Sequence, residues 1–256
     1  MPLILIARRF LMTVQFLTRV PVPRVQDHSE AEMGKATAFF PLVGVLVGAT
    51  AAAAFWLLQK ILPVPTAVFG AIVFTAILTN AFHEDGLADT FDGFGGGWTK
   101  DRVLEIMRDS RVGTVGALAL IFLVLGKYSL LSSLPQQQIW RWLIVAHTAA
   151  RWATLPLCAW LPYARAEGQG KLVAKQVGLI ELTLATITML VALLLLPWRA
   201  AIAALIATTF ITLLTGTYYK ARLQGITGDC LGATNQLTEV GLYLTAVVLL
   251  RFELIQ

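Results

Sequence analysis

Long apolar runs separated by short polar connections set the pattern of this chain. Seven runs are long enough to approach the about 20 residues that cross a bilayer: about 36–59, 64–83, 112–134, 139–161, 178–197, 200–219 and 234–250. The fourth is interrupted by His147 and Arg151, and the seventh by Asn235, Gln236 and Glu239. Between the second and third lies a polar connection, 84–111, in which "TKDRVLEIMRDSR" predicts a short surface helix. Thr99 is placed to cap it, Asp101 suits its first turn, and Val103, Leu104 and Met107 share one apolar face. At the N-terminus, "ARRFLMTVQFLTRVPVP" opens with paired arginines. Gln15, Thr18 and Arg19 break its apolar run and no cleavage-site pattern closes it, so it predicts an amphipathic interfacial helix with snorkelling arginines rather than an export signal. The expected fold is an all-α polytopic membrane bundle of six to seven transmembrane helices, with the interfacial helix and the short surface helix added. Residues 1–256 form one domain.

Composition agrees: 57% of the residues are hydrophobic and 14% charged, against ~25% charged in ordinary soluble domains. Cys158 and Cys230 are far apart and imply neither a disulfide framework nor a zinc site. The net charge of +5 matters less than its placement. With the N-terminus in the cytoplasm, the segments on that side carry 14 lysines and arginines and the opposite segments carry 4, Lys60, Arg141, Arg199 and Arg251, with Lys127 and Arg151 inside spans. The asymmetry predicts a cytoplasmic N-terminus. It also gathers the polar stretches 84–111, 162–171 and 224–236 on the cytoplasmic face. No internal repeat of the inverted-repeat transporter kind is apparent.

One stretch concentrates like charge. In "NAFHEDGLADTFDGFGGGWTKD", four carboxylates fall within nine residues, with no lysine or arginine between Asn80 and Lys100. Asp85, Asp89 and Asp92 are spaced i, i+4, i+7, which places them on one helical face. A cation between them would relieve their repulsion, and a set of oxygen ligands suits Mg²⁺ or Mn²⁺. The glycines that follow, Gly95 and Gly96 among them, are expected to form a loop whose N–H groups approach an anion. Arg108 and Arg111 supply forked donors for phosphate. Metal-binding carboxylates, a glycine loop and arginines at a membrane surface point to phosphoryl transfer.

Six blocks then carry a family resemblance: "QFLTRVPVP" (15–23), "FFPLVGVLVG" (39–48), "HEDGLADTFDG" (83–93), "RVLEIMRDSRVGT" (102–114), "YARAEGQG" (163–170) and "TGDCLGA" (227–233). In this order they resemble the cobalamin synthase family, the adenosylcobinamide-GDP ribazoletransferases. The resemblance implies a Mg²⁺-dependent enzyme of the bacterial inner membrane with its active site facing the cytoplasm. It would join adenosylcobinamide-GDP to α-ribazole or its 5′-phosphate, giving adenosylcobalamin or its 5′-phosphate and releasing GMP. The expected partners are these corrinoid and ribazole substrates and the lipid bilayer, with no nucleic acid; the family context leaves room for a homo-oligomer and for other enzymes of nucleotide-loop assembly. It makes Asp85, Asp89 and Asp92 metal ligands with Glu84 a fourth, and one of the acidic cluster or Asp109 the acceptor of the attacking hydroxyl's proton. Arg108, Arg111 and Arg151 would hold phosphate oxygens, and Arg165 would bind substrate. Asp229 would complete the metal site, bind ribazole, or merely cap a helix. His83 would be an acid–base residue or a hydrogen-bonded neighbour. "DTFDG" (89–93) also resembles the opening of the CDP-alcohol phosphotransferase motif, but the Ala-Arg pair expected after it is replaced by Phe94 and Gly95. A divalent-cation transporter would also collect carboxylates, normally at mid-membrane rather than beside a cytoplasmic loop.

Overall fold

The computed structural model describes residues 2–23, 25, 29–165 and 177–254. Arg24, Lys171 and Lys175 of the charge count, and the end of the "YARAEGQG" block, lie outside them. Among the described residues there is no strand; Tyr163 and Ile226 form an isolated parallel bridge.

The helices follow the apolar runs closely. α1 (Pro2–Leu17) is the expected N-terminal helix, and α2 (Glu30–Ala36) and a 3₁₀ turn (Thr37–Phe39) lead into α3 (Phe40–Leu58). α4 (Val64–Leu78) is followed by α5 (Phe82–Gly96) and the short α6 (Lys100–Ile106). The remaining helices are α7 (Thr114–Ser132), α8 (Gln136–Trp160), α9 (Leu179–Leu193), α10 (Trp198–Leu223) and α11 (Gly228–Arg251). Three helical stretches are long and apolar enough by themselves to cross a membrane: Ala31–Leu58, Thr114–Ser132 and Trp198–Leu223. α4 and α5 together make a fourth, bent by 87°. α8 and α11, at 25 and 24 residues, are long enough to cross at about 1.5 Å per residue, and they bury their polar side chains between helices.

Two expectations need correction. The second run does not reach residue 83 as one helix. It ends at Leu78, and Asn80 (φ 56°) and Ala81 (φ 51°) both take the left-handed conformation. That conformation costs an ordinary residue roughly 1–2 kcal/mol, and here it turns the chain sharply into α5. Nor do the glycines form an anion-cradling loop. Gly93, Gly95 and Gly96 are the last turn of α5, where a Cβ on Gly93 would stand 2.6 Å from Met107 Cγ and one on Gly97 2.7 Å from the Val103 backbone nitrogen. The small residues let α6 pass directly across the end of α5. α6 itself is as expected: the Thr99 hydroxyl accepts from Arg102 N–H at 3.4 Å, and Val103 and Met107 are buried.

Inter-loop hydrogen bonds tie one end of the bundle together. Arg19 N–H donates to Leu78 O (2.7 Å), Ala164 N–H to Ile226 O (2.8 Å), Ile226 N–H to Pro162 O (2.9 Å) and Arg222 Nη2 to Gly97 O (2.7 Å). At the other end the side chains of Gln136 and Gln59 are hydrogen-bonded. The polar connections therefore share one end, as the charge distribution predicts. α5 belongs to that end as a polar limb packed between α7 and α11. It approaches α11 at a glycine contact, where Gly86 and Gly232 face each other and a Cβ on Gly86 would lie 3.0 Å from Asp229 O.

Candidate active site

The close approach of α5 and α11 leaves a cavity of about 320 Å³ beside it, roofed by α1. At its rim stand Asp85 from α5, Asp229 from α11, and Tyr163 and Arg165 from the connection after α8. Arg165 Nη2 lies 2.7 Å from Asp229 Oδ2. Thr227, rather than Asp229, caps α11: its hydroxyl accepts from Cys230 N–H at 3.2 Å, so the Asp229 carboxylate is free to face the cavity. His83 is buried in the wall, edge-on to Phe82 at 5.3 Å between ring centres. Farther in lie Arg151 and Asn235, both fully enclosed by protein.

Electrostatics separate the predicted carboxylates. Asp89, half-buried one turn beyond Asp85, has its carboxyl pushed up to about 7, chiefly by burial, then by the charges of Asp229 and Asp85, against the pull of Arg165. Burial likewise raises Asp229, with Asp85 adding to it and Arg165 opposing. Asp85 and Asp89 repel each other as the sequence implies, and Asp229 joins them from α11. Asp92 has a different task. Its Oδ2 accepts from Gly113 N–H (2.7 Å) and its Oδ1 from Gly116 N–H (2.8 Å), satisfying the open amides that begin α7. Glu84 points away from the cavity toward Lys127, 3.9 Å distant.

Asp109 and Arg111 pair with each other on the surface at 2.6 Å, and that guanidinium holds the Asp109 carboxyl down at about 2. So weak a base does not suit the proton-accepting role. With Asp92, Gly95 and Gly96 they line a shallow groove rather than the cavity, and Arg108 is exposed. The structure thus brings together Asp85, Asp229, Arg151, Arg165 and His83, sets Asp89 beside them, and places Asp92, Asp109, Arg111, Gly95 and Gly96 elsewhere. Arg151 Nη1 donates to His147 O at 3.0 Å, one helical turn back, while its Nε has no partner among the described residues.

Sequence reasoning missed two things. The aromatic wall of the cavity, Phe16, Phe40 and Phe82, comes from three elements with no motif in common. Beneath the cavity, Lys127 of α7 meets Glu239 Oε2 at 2.7 Å and Gln236 Oε1, while Glu239 Oε1 is 2.9 Å from His147 Nδ1. The only sequence signal for this network is that each of its members interrupts an apolar run.

Among the described residues no three His, Cys, Asp or Glu side chains stand close enough to hold a metal ion by themselves. The donor chemistry of Asp85, Asp89 and Asp229 nonetheless fits a hard cation. They offer oxygen ligands only, and their mutual repulsion is only partly met by Arg165.

Comparisons with known proteins identify the family. The family model described as cobalamin-5-phosphate synthase matches residues 9–247. Proteins named adenosylcobinamide-GDP ribazoletransferase align along nearly their whole length. The one from Ralstonia nicotianae is 40% identical over 91% of this chain and 92% of its own. That from Vibrio cholerae serotype O1 is 38% identical over 95% of each, and that from Shewanella baltica is 38% identical over 93% of each. No solved structure matches the chain. With a family match running from α1 almost to the end of α11, this chain belongs to the cobalamin-5-phosphate synthase family.

Proposed function

We propose that the cavity between α5 and α11 is the active site of an adenosylcobinamide-GDP ribazoletransferase that faces the cytoplasm. The observation that carries this reading is the rim: carboxylates from two opposed helices, Asp85 and Asp229, with Arg165 beside them, at the mouth of an enclosed pocket. In the reaction a ribose hydroxyl of α-ribazole bonds to the cobinamide-side phosphorus, the bridging P–O bond breaks, GMP leaves, and the hydroxyl proton passes to a rim carboxylate. An acceptor that enters with a 5′-phosphate and keeps it in the product must attack through a different ribose oxygen.

Asp85, Asp89 and Asp229 would hold Mg²⁺, which when bound neutralises diphosphate oxygens. The chain's own residues do the rest. Arg165 orients Asp229 and brings positive charge to the diphosphate. Phe16 and Leu17 of α1 narrow the pocket with apolar surface, and charge interactions gain strength in such surroundings. Phosphoryl transfer of this kind rests on positioning and charge, and the rim supplies both.

Purified protein in detergent, given adenosylcobinamide-GDP, α-ribazole and Mg²⁺ with no ion gradient, should release GMP and joined corrinoid in equal amounts. Asp229→Asn should lower the rate by about 100-fold or more, as removal of a group that stabilises transition-state charge does. GMP release that ignores ribazole, or none above the level of heat-inactivated protein, would overturn the assignment.

A further inference from the structure

The cavity is deeper than the chemistry at its rim requires, and its depth has a composition of its own. Asp229, Gly232 and Asn235 descend one face of α11 into it, so Asn235 lies about 9 Å below the rim carboxylate at 1.5 Å per residue. Above and beside it are three phenylalanines. Phe16 of α1 stacks on Phe40 at 6.0 Å between ring centres and meets Phe82 edge-on at 5.7 Å.

The floor is built of hydrogen-bond donors. Asn235 is 0% exposed. Its Oδ1 accepts from Gln236 Nε2 at 3.4 Å, which leaves Nδ2 without a partner among the described residues. Arg151 Nε is equally enclosed and, among the same residues, unpartnered. Buried donors left unsatisfied are costly, so this pocket is shaped for something that supplies an acceptor between apolar walls. At about 320 Å³ it falls at the small end of ligand sites, which run from about 300 to 1,000 Å³. That is room for a bicyclic base with its sugar and too little for a corrin macrocycle.

We propose that the depth of the cavity reads the base of the acceptor nucleoside. Phe16, Phe40 and Phe82 pack against a planar bicyclic heteroaromatic ring, and Asn235 Nδ2 donates to its bare ring nitrogen, while the sugar points up to the rim. The corrinoid and its guanosine diphosphate remain outside, at the mouth. This rests on the reading of the cavity as the active site and adds which substrate occupies its interior and which atom is recognised. A benzimidazole fits because it is flat and apolar on both edges and carries one acceptor nitrogen and no donor. Asn235 then acts as a specificity residue, since an isostere lacking that nitrogen would leave Nδ2 unpaired.

The test compares the α-ribosides of benzimidazole and indole, which differ by one ring nitrogen replaced with C–H. Wild-type protein should use the benzimidazole riboside with a kcat/KM roughly tenfold or more above that of the indole riboside. Asn235→Leu should bring the ratio close to one while still releasing GMP with the indole riboside, which also shows that the variant is folded. Thermal stabilisation of the wild-type protein by each riboside alone, without the GDP-linked substrate, should follow the same order. Equal use of both ribosides by wild type, with GMP release intact, would overturn the inference and leave the proposed reaction standing. A preference that survives Asn235→Leu would overturn it as well. Absence of GMP with every acceptor would remove the proposed reaction and this inference together.

Discussion

Asp92 gives both carboxylate oxygens to the opening amides of α7, whereas Asp89, less than one turn before it, is left among like charges with its carboxyl at about 7. Regular spacing on a helix fixes direction but not what waits in that direction, which is why the i, i+4, i+7 pattern marks the helix without showing that Asp92 meets the start of α7. Spacing likewise does not distinguish Asp229 as a metal ligand, a ribazole contact or a cap, and the hydroxyl of Thr227 removes the cap alone. The state of Asp89 gives a pH prediction. Its folded-state value is raised from 3.8 to about 7, so between those values the folded protein holds a proton that the unfolded chain does not. The stabilisation this brings is present at acid pH and lost as pH rises through the window. Mg²⁺ needs the carboxylate bare, so proton and metal compete. GMP release should fall as pH drops below about 7, and a tenfold rise in Mg²⁺ should move the midpoint down by up to ~1 unit. A midpoint indifferent to Mg²⁺ would show that Asp89 is not a ligand.

Helices were the legible part of the sequence wherever their determinants are local. α6 announced its cap and its apolar face, and α3, α7 and α10 announced themselves by unbroken apolar length. The end of α5 did not. Glycines that line an anion loop and glycines that let one helix cross another share the absence of a side chain, and only the passage of α6 over Gly93 and Gly97 tells them apart. The break after α4 was hidden for a similar reason. Asn80 is a residue that often takes the left-handed conformation, but Ala81 is not, and it is held there by its surroundings. Most remote from sequence reading is the cavity itself. α1, the start of α3, α5, α8, the connection after α8 and α11 all contribute to it, and no spacing rule spans them.

At the scale of the whole molecule, the connections tied by the bonds of Arg19, Ala164, Ile226 and Arg222 meet at one end, and the lysine and arginine asymmetry predicts that this end faces the cytoplasm. Cys158 and Cys230 are both buried, so single exposed serines can report sidedness without background. Ser110→Cys should react with a membrane-impermeant maleimide only in inverted vesicles, and Ser133→Cys only in intact cells. Reaction of Ser110→Cys in intact cells would invert the arrangement. The buried pair of Lys127 and Glu239 carries a consequence for how the protein is made. The two residues are 112 positions apart, so at about 5–20 residues per second the ribosome needs roughly 5–20 s to deliver the acid after the lysine. During that interval α7 holds an ammonium group inside the bilayer, a burden of about 2.5–3.5 kcal/mol on insertion scales, with Glu84 at 3.9 Å as a looser partner made earlier. The close pairing of Lys127 therefore waits for α11. A chain stopped before Gly228 should be cleared by membrane proteases much faster than the full chain, and Lys127→Leu in the same truncated chain should lengthen its half-life; equal half-lives for the two truncated chains would show that the lysine is not the mark by which unfinished copies are recognised.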